Sequence, residues 1–381
     1  MRPSSHPQKH SLLLTLKQPS PPTLQRNPKS EIESSQGPES QKTFGVDDII
    51  DKYGVVKGSY EETRLPKIRA FAAKRKDLSG FEMTSEAIPE TLEWGQILVN
   101  VRKAPISPAD LDPFAGAAVG AHAGADGVGV VLRAGAGCKK IQEGDWVVPF
   151  PPRLASGGNE TVAPGVAKPP IGSWRSLLAV KEKDVMKIPT DLMPMEYCAM
   201  WRELCTGYKL LEDGKDLRPG DAVILNAASG AVGAVVLQLC ALLKLRAVAV
   251  VRERSGEEAH AKLEARLKAL GAAEVLVDRG GSDFRRELED RRFFAKPKLA
   301  LDGVGGDAAG RLADALQDGG RMTCFGCVSG KPVTLTWRQI IARDLRVRGF
   351  SSAAWAREKK KDVPKTLESV AKLVNAGKIA L

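Results

Sequence analysis

The sequence predicts an α/β protein in which a doubly wound parallel sheet follows a smaller, mostly β first domain. Three observations lead to this fold class. Residues 222–251 read as a short apolar run, a glycine-bearing turn, an apolar segment of helical length and a second apolar run. Strands and helices keep alternating after this unit, which is typical of a parallel sheet. Before it, short and partly alternating apolar segments are separated by Gly, Pro and Asp, as in β domains.

Length and composition agree with two globular domains. A chain of 381 residues can bury two cores, and an apolar fraction of 43% with 37 glycines is typical of α/β proteins. The formal net charge is +11, but Lys and Arg form no block interleaved with aromatic residues, so nucleic-acid binding is not predicted. The diffuse positive charge favours small or proteinaceous anionic partners. No apolar run reaches the roughly 18 residues of a membrane span.

The cysteines indicate a reduced, intracellular protein without a metal site. They are Cys138, Cys198, Cys205, Cys240, Cys324 and Cys327. Several lie inside apolar runs, where a thiol behaves as a small hydrophobic group. Only Cys324 and Cys327 are close in sequence, and a single pair in a chain with four histidines does not predict zinc.

The first 66 residues are interpreted as a leader. Residues 1–30 combine Lys, Arg, Ser and Pro with no acidic residue before Glu31, which is the pattern of an organellar transit peptide. An ordinary disordered tail is the alternative. Residues 31–66 stay polar, with a short helix predicted around 46–53.

The elements of the first domain are predicted from residue 67 onward. Strands are expected at 68–73, 97–101, 128–132 and 146–150. Gly144 and Asp145 form a tight turn before the last of them. Residues 151–170 are rich in Pro, Gly and Ala without periodicity, which predicts a long surface loop.

The second domain is predicted to begin with a helix at 195–211 that leads into the central unit. That unit consists of strand 222–225, turn 226–233, helix 234–245 and strand 247–251. The following elements are helix 257–270 capped by Gly271, strand 274–277, helix 283–292, strand 299–301, a glycine turn at 303–306, helix 308–316 and strand 322–325.

The turn after the first central strand is the candidate nucleotide site. Gly230 and Gly233 would let the backbone approach a phosphate, whose charge the N–H groups and dipole of the next helix would hold. Ala227 stands where the usual fingerprint has its first glycine. Tight packing alone is the alternative explanation of these glycines.

The charges after the second central strand concern the choice of nucleotide. An NAD-binding protein usually offers the ribose hydroxyls an acidic residue there, whereas this chain has Arg252, Glu253 and Arg254. Two guanidinium groups suit a 2′-phosphate, so NADPH is favoured over NADH, with two solvated arginines as the alternative. The ligand should lie along the carboxyl ends of the strands, beside Gly303 and Gly305.

From about residue 67 to its end, the chain resembles the medium-chain dehydrogenase/reductase superfamily, and within it the mitochondrial trans-2-enoyl-thioester reductases. The matching segments, in order, are 104–110, 124–128, 144–147, 172–175, 205–208, 226–233, 251–254, 304–306 and 344–350.

This resemblance implies a GroES-like β-domain over 67–194, a Rossmann NADPH-binding domain over 195–344, and a homodimer joined through the Rossmann sheets. Residues 345–381 would return to the β-domain, although the chain stops before the expected final helix and strand. The implied reaction is hydride transfer from NADPH to the β-carbon of a 2-enoyl thioester of coenzyme A or acyl carrier protein, with a tyrosine as proton donor. Zinc is not implied, because the Gly-His-Glu of zinc-dependent relatives is replaced by 124–126, which reads Gly-Ala-Asp.

Three residues depart from the resemblance. The family tyrosine falls near Ala118, in a shortened stretch, and no tyrosine occurs between Tyr60 and Tyr197. Glu203 stands where an asparagine is expected to contact the cofactor, and Ser351 replaces a tryptophan. We therefore expect slow enoyl reduction, with water or Ser351 delivering the proton, because one general acid contributes about 10²–10⁴-fold.

The prediction is thus an NADPH-dependent enoyl-thioester reductase of mitochondrial fatty-acid synthesis, with a plastid as the alternative compartment. The other hypotheses are a quinone or enone reductase of the same superfamily and a non-catalytic NADPH-binding protein. The predicted cofactor-binding residues are Glu203, Ser229, Gly230, Ala231, Val232, Gly233, Arg252, Glu253, Arg254, Phe325, Gly326, Cys327, Val328, Phe350, Ser351 and Ser352.

Overall fold

Three sheets organise the part of the chain that the structure covers. The computed structural model describes residues 69–75, 81–107, 122–150, 172–212, 214, 216–281, 284, 287 and 296–381. Two of the sheets, of two and five strands, come from the first part of the chain, and the third has six strands. No helix within these ranges is long and apolar enough to cross a membrane.

The first two sheets are antiparallel. In the smaller one, β1 (Arg69–Arg75) pairs with β2 (Phe81–Ala87). The larger one consists of β3 (Gln96–Lys103), β4 (Val128–Ala134), β5 (Trp146–Pro149), β6 (Leu177–Lys181) and β7 (Val185–Ile188), in the order β6-β3-β4-β5-β7. A short 3₁₀ turn, Glu182–Asp184, joins β6 to β7. Apolar side chains from all five strands form one buried cluster, which explains why these segments are strands.

The second part of the chain alternates helices with parallel strands. Its elements are α1 (Met195–Ala199), α2 (Trp201–Glu212), β8 (Ala222–Leu225), α3 (Ala231–Leu242), β9 (Arg246–Val251), α4 (Glu257–Ala269), β10 (Ala272–Val277), β11 (Leu299–Asp302), α5 (Gly306–Asp314), β12 (Arg321–Cys324), a π-helical turn (Arg338–Ala342), β13 (Arg346–Gly349), α6 (Ser352–Glu358) and α7 (Asp362–Asn375).

The strand order of the parallel sheet is β10-β9-β8-β11-β12-β13. Every pair in it is parallel. This is the order of a doubly wound dinucleotide-binding sheet, and the direction of winding reverses between β8 and β11. The predicted α/β class, with a β domain followed by a Rossmann domain, is confirmed.

The core explains why β8 and α3 are so apolar. All four residues of β8 are buried, and α3 buries seven residues between the sheet and α2. One buried cluster joins these elements to α7 and to Val128, Val148 and Ile188 of the antiparallel sheet. Each fully buried Leu or Val contributes about 1.5–3 kcal/mol, so this shared core binds the two sheets into one unit.

Two predicted helices have different bounds. The helix expected at 195–211 is interrupted at Met200 (φ −104°, ψ 21°), whose N–H closes the first helix on Tyr197 while its carbonyl accepts from Leu204. The helix expected from 234 begins at Ala231, because Gly230 caps it and Gly233 lies inside its first turn. The turn predicted at 226–233 is therefore three residues shorter.

One stretch of residues 345–381, the segment assigned to the β-domain, lies in the parallel sheet instead. Arg346–Gly349 forms the sixth strand of the parallel sheet, paired with β12 from Arg321↔Arg346 to Cys324↔Gly349. Its backbone hydrogen bonds place it in the Rossmann sheet. The helix after it, α7, packs against α2.

Several predictions fall outside the described residues. They are the leader at 1–66, the position of Ala118, the loop at 151–170 and most of the helix at 283–292.

Candidate functional site

Two buried polar residues mark the point where the sheet changes direction. Asn226 follows β8 and Asp302 ends β11, and both side chains are buried. Asn226 Nδ2 donates to Asp302 Oδ1 over 2.5 Å, while Gly303 N donates to Asn226 Oδ1 over 2.7 Å. These bonds fix the carboxyl ends of two neighbouring strands, which is where an open parallel sheet binds its ligand.

The Asp302 carboxylate also shapes the next turn. It accepts from the backbone N–H groups of Val304 and Gly305 over 3.1 Å each. A Cβ on Gly303 would lie 2.8 Å from Cζ of Phe325, so a larger residue there would displace the Phe325 ring. Asn226 and Asp302 were not among the predicted site residues, although a polar residue at the end of an all-apolar strand was the available signal.

The start of α3 has the geometry of an anion site. Gly230 caps the helix without a side-chain hydrogen bond, so the N–H groups of its first turn have no side-chain acceptor from the cap. A Cβ on Gly233 would lie 2.5–2.7 Å from backbone atoms of Ala228, so only glycine lets the loop pass this closely. Ala227 takes the left-handed conformation (φ 49°) that the usual first glycine would adopt.

The end of β9 presents charged side chains to solvent. Arg252, Glu253 and Arg254 are all exposed, and neither arginine has an ion-pair partner among the described residues. Glu253 differs, because its Oε1 lies 3.0 Å from Nε of Arg279, which follows β10. The two arginines are thus available to an anion, whereas the carboxylate is engaged.

The segment after β12 closes the crevice on one side. Phe325 N donates to Asp302 O over 2.8 Å, and Val328 N donates to Gly303 O over 3.1 Å. Cys327 Sγ contacts the carbonyl of Lys331 at 3.2 Å. Burial, with the nearby Asp302 carboxylate, raises the pKa of the Cys324 thiol to about 12, so this thiol stays protonated at neutral pH.

The predicted cofactor-binding residues 350–352 adjoin this segment. Phe350 N donates to Cys324 O over 2.8 Å, and the Phe350 ring lies 6.4 Å from that of Trp355. Ser351 caps α6, since its Oγ accepts from Ala354 N over 3.2 Å. Its hydroxyl therefore has a structural role that the sequence did not reveal.

Glu203 belongs to a buried group of charges on α2. Arg202 forms ion pairs with Asp126 and, at 3.5 Å, with Glu203. The Asp126 side chain is only 1% exposed, and the hydroxyl of Ser173 donates to its backbone carbonyl over 2.6 Å. Arg202 therefore links the cofactor domain to the antiparallel domain, a contact that the sequence analysis missed.

Glu203 lies on α2, which packs against α3. It precedes Gly207 by about one helical turn, and a Cβ on Gly207 would be 3.3 Å from Val232 O and 2.6 Å from Cγ1 of Val235. At Gly207 the backbone of α2 therefore lies directly against the Val235 side chain of α3.

The structure brings most of the predicted site residues to one edge of the parallel sheet. Residues 229–233, 252–254, 303–305, 325–328 and 350–352 all follow the carboxyl ends of parallel strands or the turns beside them. No group of three or more His, Cys, Asp or Glu side chains within the described ranges is arranged to hold a metal ion.

Comparison with known proteins agrees with this architecture. Residues 93–190 match the model of the alcohol dehydrogenase GroES-like domain, and residues 231–372 match that of the zinc-binding dehydrogenases. The human protein named mitochondrial enoyl-[acyl-carrier-protein] reductase is 30% identical over 331 residues, which cover 83% of this chain and 81% of the human one. This chain belongs to the enoyl-[acyl-carrier-protein] reductase family.

Solved structures support the fold of this family member. The 2-enoyl thioester reductase Etr1p/Etr2p heterodimer from Candida tropicalis and an Etr1p/NADP/crotonyl-CoA complex each superimpose with a TM-score of 0.65 at 22% identity. Each match covers 82% of this chain and 90% of the other. A quinone oxidoreductase from Pseudomonas syringae has the same fold, with a TM-score of 0.61, 20% identity and coverages of 82% and 90%. The predicted family is confirmed.

Proposed function

We propose that this reductase-family chain binds NADPH and reduces trans-2-enoyl thioesters of coenzyme A or acyl carrier protein. The observation that carries the proposal is the glycine turn at the β8/β11 switch point, with two unengaged arginines at the end of the neighbouring strand. Membership in the enoyl-[acyl-carrier-protein] reductase family supplies the substrate class.

Different residues of the site bind different parts of NADPH. The N–H groups of 231–233 at the start of α3 hold the pyrophosphate, together with Ser229 and Gly230. Arg252 and Arg254 receive the 2′-phosphate, for which two planar guanidinium groups are suited. Residues 325–328 and 350–352 flank the nicotinamide, and Glu203 stands at a position assigned to a cofactor contact.

Bound NADPH supplies a hydride to the β-carbon of the enoyl group. The chain then has to orient the thioester and supply a proton at its α-carbon. Ser351 is exposed and its Oγ already accepts from Ala354 N, so its hydroxyl hydrogen is free to point toward solvent or substrate. We propose that water supplies this proton. Ser351 is the donor instead only if removal of its hydroxyl slows the reaction.

A direct assay tests the activity. Purified chain at high concentration is mixed with NADPH and crotonyl-CoA or a longer 2-enoyl thioester, and the loss of nicotinamide absorbance is followed. Turnover supports the proposal, and a Ser351→Ala variant with unchanged rate assigns the proton to water. The absence of turnover with any enoyl thioester would overturn it.

The 2′-phosphate assignment has its own test. Charge-assisted hydrogen bonds contribute about 1.5–3 kcal/mol, so Arg252→Ala should weaken NADPH binding roughly tenfold to a hundredfold and leave NADH binding nearly unchanged. Equal losses for the two nucleotides would contradict the assignment.

A quinone or enone reductase is the second candidate. The observation in its favour is the missing tyrosine between Tyr60 and Tyr197, since an electron-poor acceptor can take its proton from water. Turnover of quinones without turnover of enoyl thioesters selects this activity. Tight NADPH binding without turnover of any acceptor selects a non-catalytic binding protein.

We also propose a homodimer formed through β13. This strand is the exposed edge of the six-stranded sheet, and exposed apolar side chains surround it, including Trp337 (66% exposed), Ile341 (74%) and Val347 (37%). A free edge beside apolar surface is suited to pairing with a second copy. Trp337→Ser should shift the chain toward monomer in light scattering, whereas Trp94→Ser, at a tryptophan that is 75% exposed, should not.

Mitochondrial location is the remaining part of the proposal. The relatives carry that location in their names, and residues 1–30 have the composition of a transit peptide. A fluorescent fusion of residues 1–66 that stayed in the cytosol would contradict import, and one that entered a plastid would change the compartment.

A further inference from the structure

The carboxylate of Glu253 is the feature of the nucleotide site that least suits a 2′-phosphate. It lies between Arg252 and Arg254 directly after β9, where an acidic side chain favours ribose hydroxyls and repels a phosphate. Glu253 does not face solvent alone, because Nε of Arg279 lies 3.0 Å from its Oε1. Both side chains are about half exposed, at 62% and 49%.

Arg279 reaches Glu253 because its own turn is held in place. Asp278 N donates to Val251 O over 2.8 Å, which continues the β9–β10 pairing by one residue. The Asp278 carboxylate accepts two bonds from Arg311 of α5, Nε to Oδ1 at 2.8 Å and Nη2 to Oδ2 at 2.9 Å. Its Oδ1 also accepts from Gly280 N over 3.0 Å.

The two-bonded Arg311 contact is the strong, geometrically specific kind of ion pair. Its Asp278 partner is only 12% exposed, so solvent screens this pair less than a surface pair. The turn after Asp278 is completed by Gly280, whose φ of 83° favours glycine. The position of the Arg279 backbone is therefore fixed before any nucleotide binds.

We propose that Arg279 is a specificity-determining residue of the nucleotide site. By pairing with Glu253 it cancels the carboxylate charge, so that the end of β9 presents three arginines around one glutamate. That net positive charge favours a nucleotide carrying a phosphomonoester on its ribose over one carrying a free hydroxyl. The inference rests on the proposed NADPH function and adds to it a residue from the neighbouring strand.

Three variants test the mechanism, Arg279→Gln, Glu253→Gln and the double variant. Dissociation constants for NADPH and NADH are measured by nucleotide fluorescence at low and physiological ionic strength. An exposed ion pair is weak, but the charge of Arg279 acts here on a phosphate of charge near −2. Arg279→Gln should therefore weaken NADPH binding about three- to tenfold at low salt. NADH binding should stay within about twofold.

The double variant identifies the route. If Arg279 acts by cancelling Glu253, then Glu253→Gln alone tightens NADPH binding by a few fold at low salt, because Arg279 is then left uncompensated, and the double variant returns it to within about twofold of the parent. Lys268→Gln is the matched control, because it removes a basic side chain of similar exposure (54%) whose ion pair with Glu264 is 2.8 Å long. It should leave both nucleotides unaffected.

Two results would overturn the inference alone, with NADPH binding by the parent chain intact. One is an Arg279→Gln variant that binds NADPH as the parent does, and the other is a double variant that stays as weak as the single one. A parent chain that bound no NADPH would overturn the proposed function as well.

Discussion

Asn226 and Asp302 hold the carboxyl ends of β8 and β11 together through a 2.5 Å hydrogen bond from Nδ2 to Oδ1. Both side chains are buried, and the same pair accepts from the N–H groups of 303–305. The turn that borders the nucleotide crevice is therefore built on one amide and one carboxylate. An amide is required because it donates to one side and accepts on the other.

Asn226→Asp should destabilise the protein in a pH-dependent way. It places a second carboxylate against Asp302 in a buried site, where two like charges repel each other. The loss should be about 3 kcal/mol at pH 8, where both groups tend to ionise, and smaller at pH 5, where one can hold a proton. Denaturant unfolding at the two pH values measures it. The control is Asn375→Asp, because the Asn375 amide donates to Leu192 O on the surface. Equal losses of stability at both pH values in Asn226→Asp would contradict the explanation.

Gly233→Ala should damage the loop that Gly230→Ala leaves intact. A methyl group on Gly233 would meet backbone atoms of Ala228 at 2.5–2.7 Å, whereas one on Gly230 would lie 3.4 Å from Ala227 O, an ordinary contact. Overpacking against backbone costs about 1–3 kcal/mol, so the melting temperature should fall only for Gly233→Ala. A comparable fall for Gly230→Ala would show that the space around Gly233 is not what matters.

The sequence could predict the sheet because its apolar runs are long enough to identify strands and helices. It could also place the residues of 325–328 and 350–352 near the nucleotide turn, since parallel strands end at one edge. The start of α3 could not be predicted, because glycines at 230 and 233 are both acceptable N-caps. Only the close approach of Gly233 to Ala228 decides between them. The strand Arg346–Gly349 was missed for a similar reason, since its alternating arginines resemble a surface segment.

Contacts between distant side chains could not be predicted. Asp126 and Arg202 lie 76 positions apart, and nothing in the local sequence of either indicates the other. Arg279 and Glu253 meet only because β9 and β10 are neighbours and Arg311 holds the turn that follows β10. Pairs of this kind depend on packing, which a single sequence does not state.

The Asp126–Arg202 ion pair should be much more important for stability than a surface pair. The Asp126 and Arg202 side chains are 1% and 13% exposed. Removing one partner of a buried pair costs about 3–5 kcal/mol, so Arg202→Met should lower the free energy of unfolding by that amount. The double variant with Asp126→Asn should recover part of it, since the fully buried Asp126 charge is then gone and only Glu203, 14% exposed, is left beside the new methionine.

A surface pair supplies the comparison for that cycle. Lys268→Met breaks the 2.8 Å helical contact with Glu264 and should cost no more than about 0.5 kcal/mol. A double variant no more stable than Arg202→Met would show that Arg202 acts through packing and not through its charge.

Glu182 should stabilise the β6–β7 connection only while it is ionised. Its Oε1 accepts from the backbone N–H groups of Lys139, Lys140 and Ile141 over 3.0, 2.6 and 2.9 Å. Burial opposes the charge, but these three donors outweigh it and lower the pKa of Glu182 below its usual value. A lowered folded-state pKa gives stability that is complete above the unfolded pKa and is lost as the pH falls through the folded one.

Glu182→Gln should therefore lower the free energy of unfolding by about 1 kcal/mol at pH 7. This is less than the contribution of a buried charged hydrogen bond, because the site is partly solvated. The difference from the parent should shrink as the pH falls below about 4 and disappear once the parent carboxyl is protonated. Denaturant unfolding of both chains between pH 7 and pH 3 measures it, with the exposed Glu143→Gln as a control that should show no such trend. A difference that stayed constant down to pH 3 would mean that Glu182→Gln destabilises the protein through the changed shape of the side chain and not through the lost carboxylate charge.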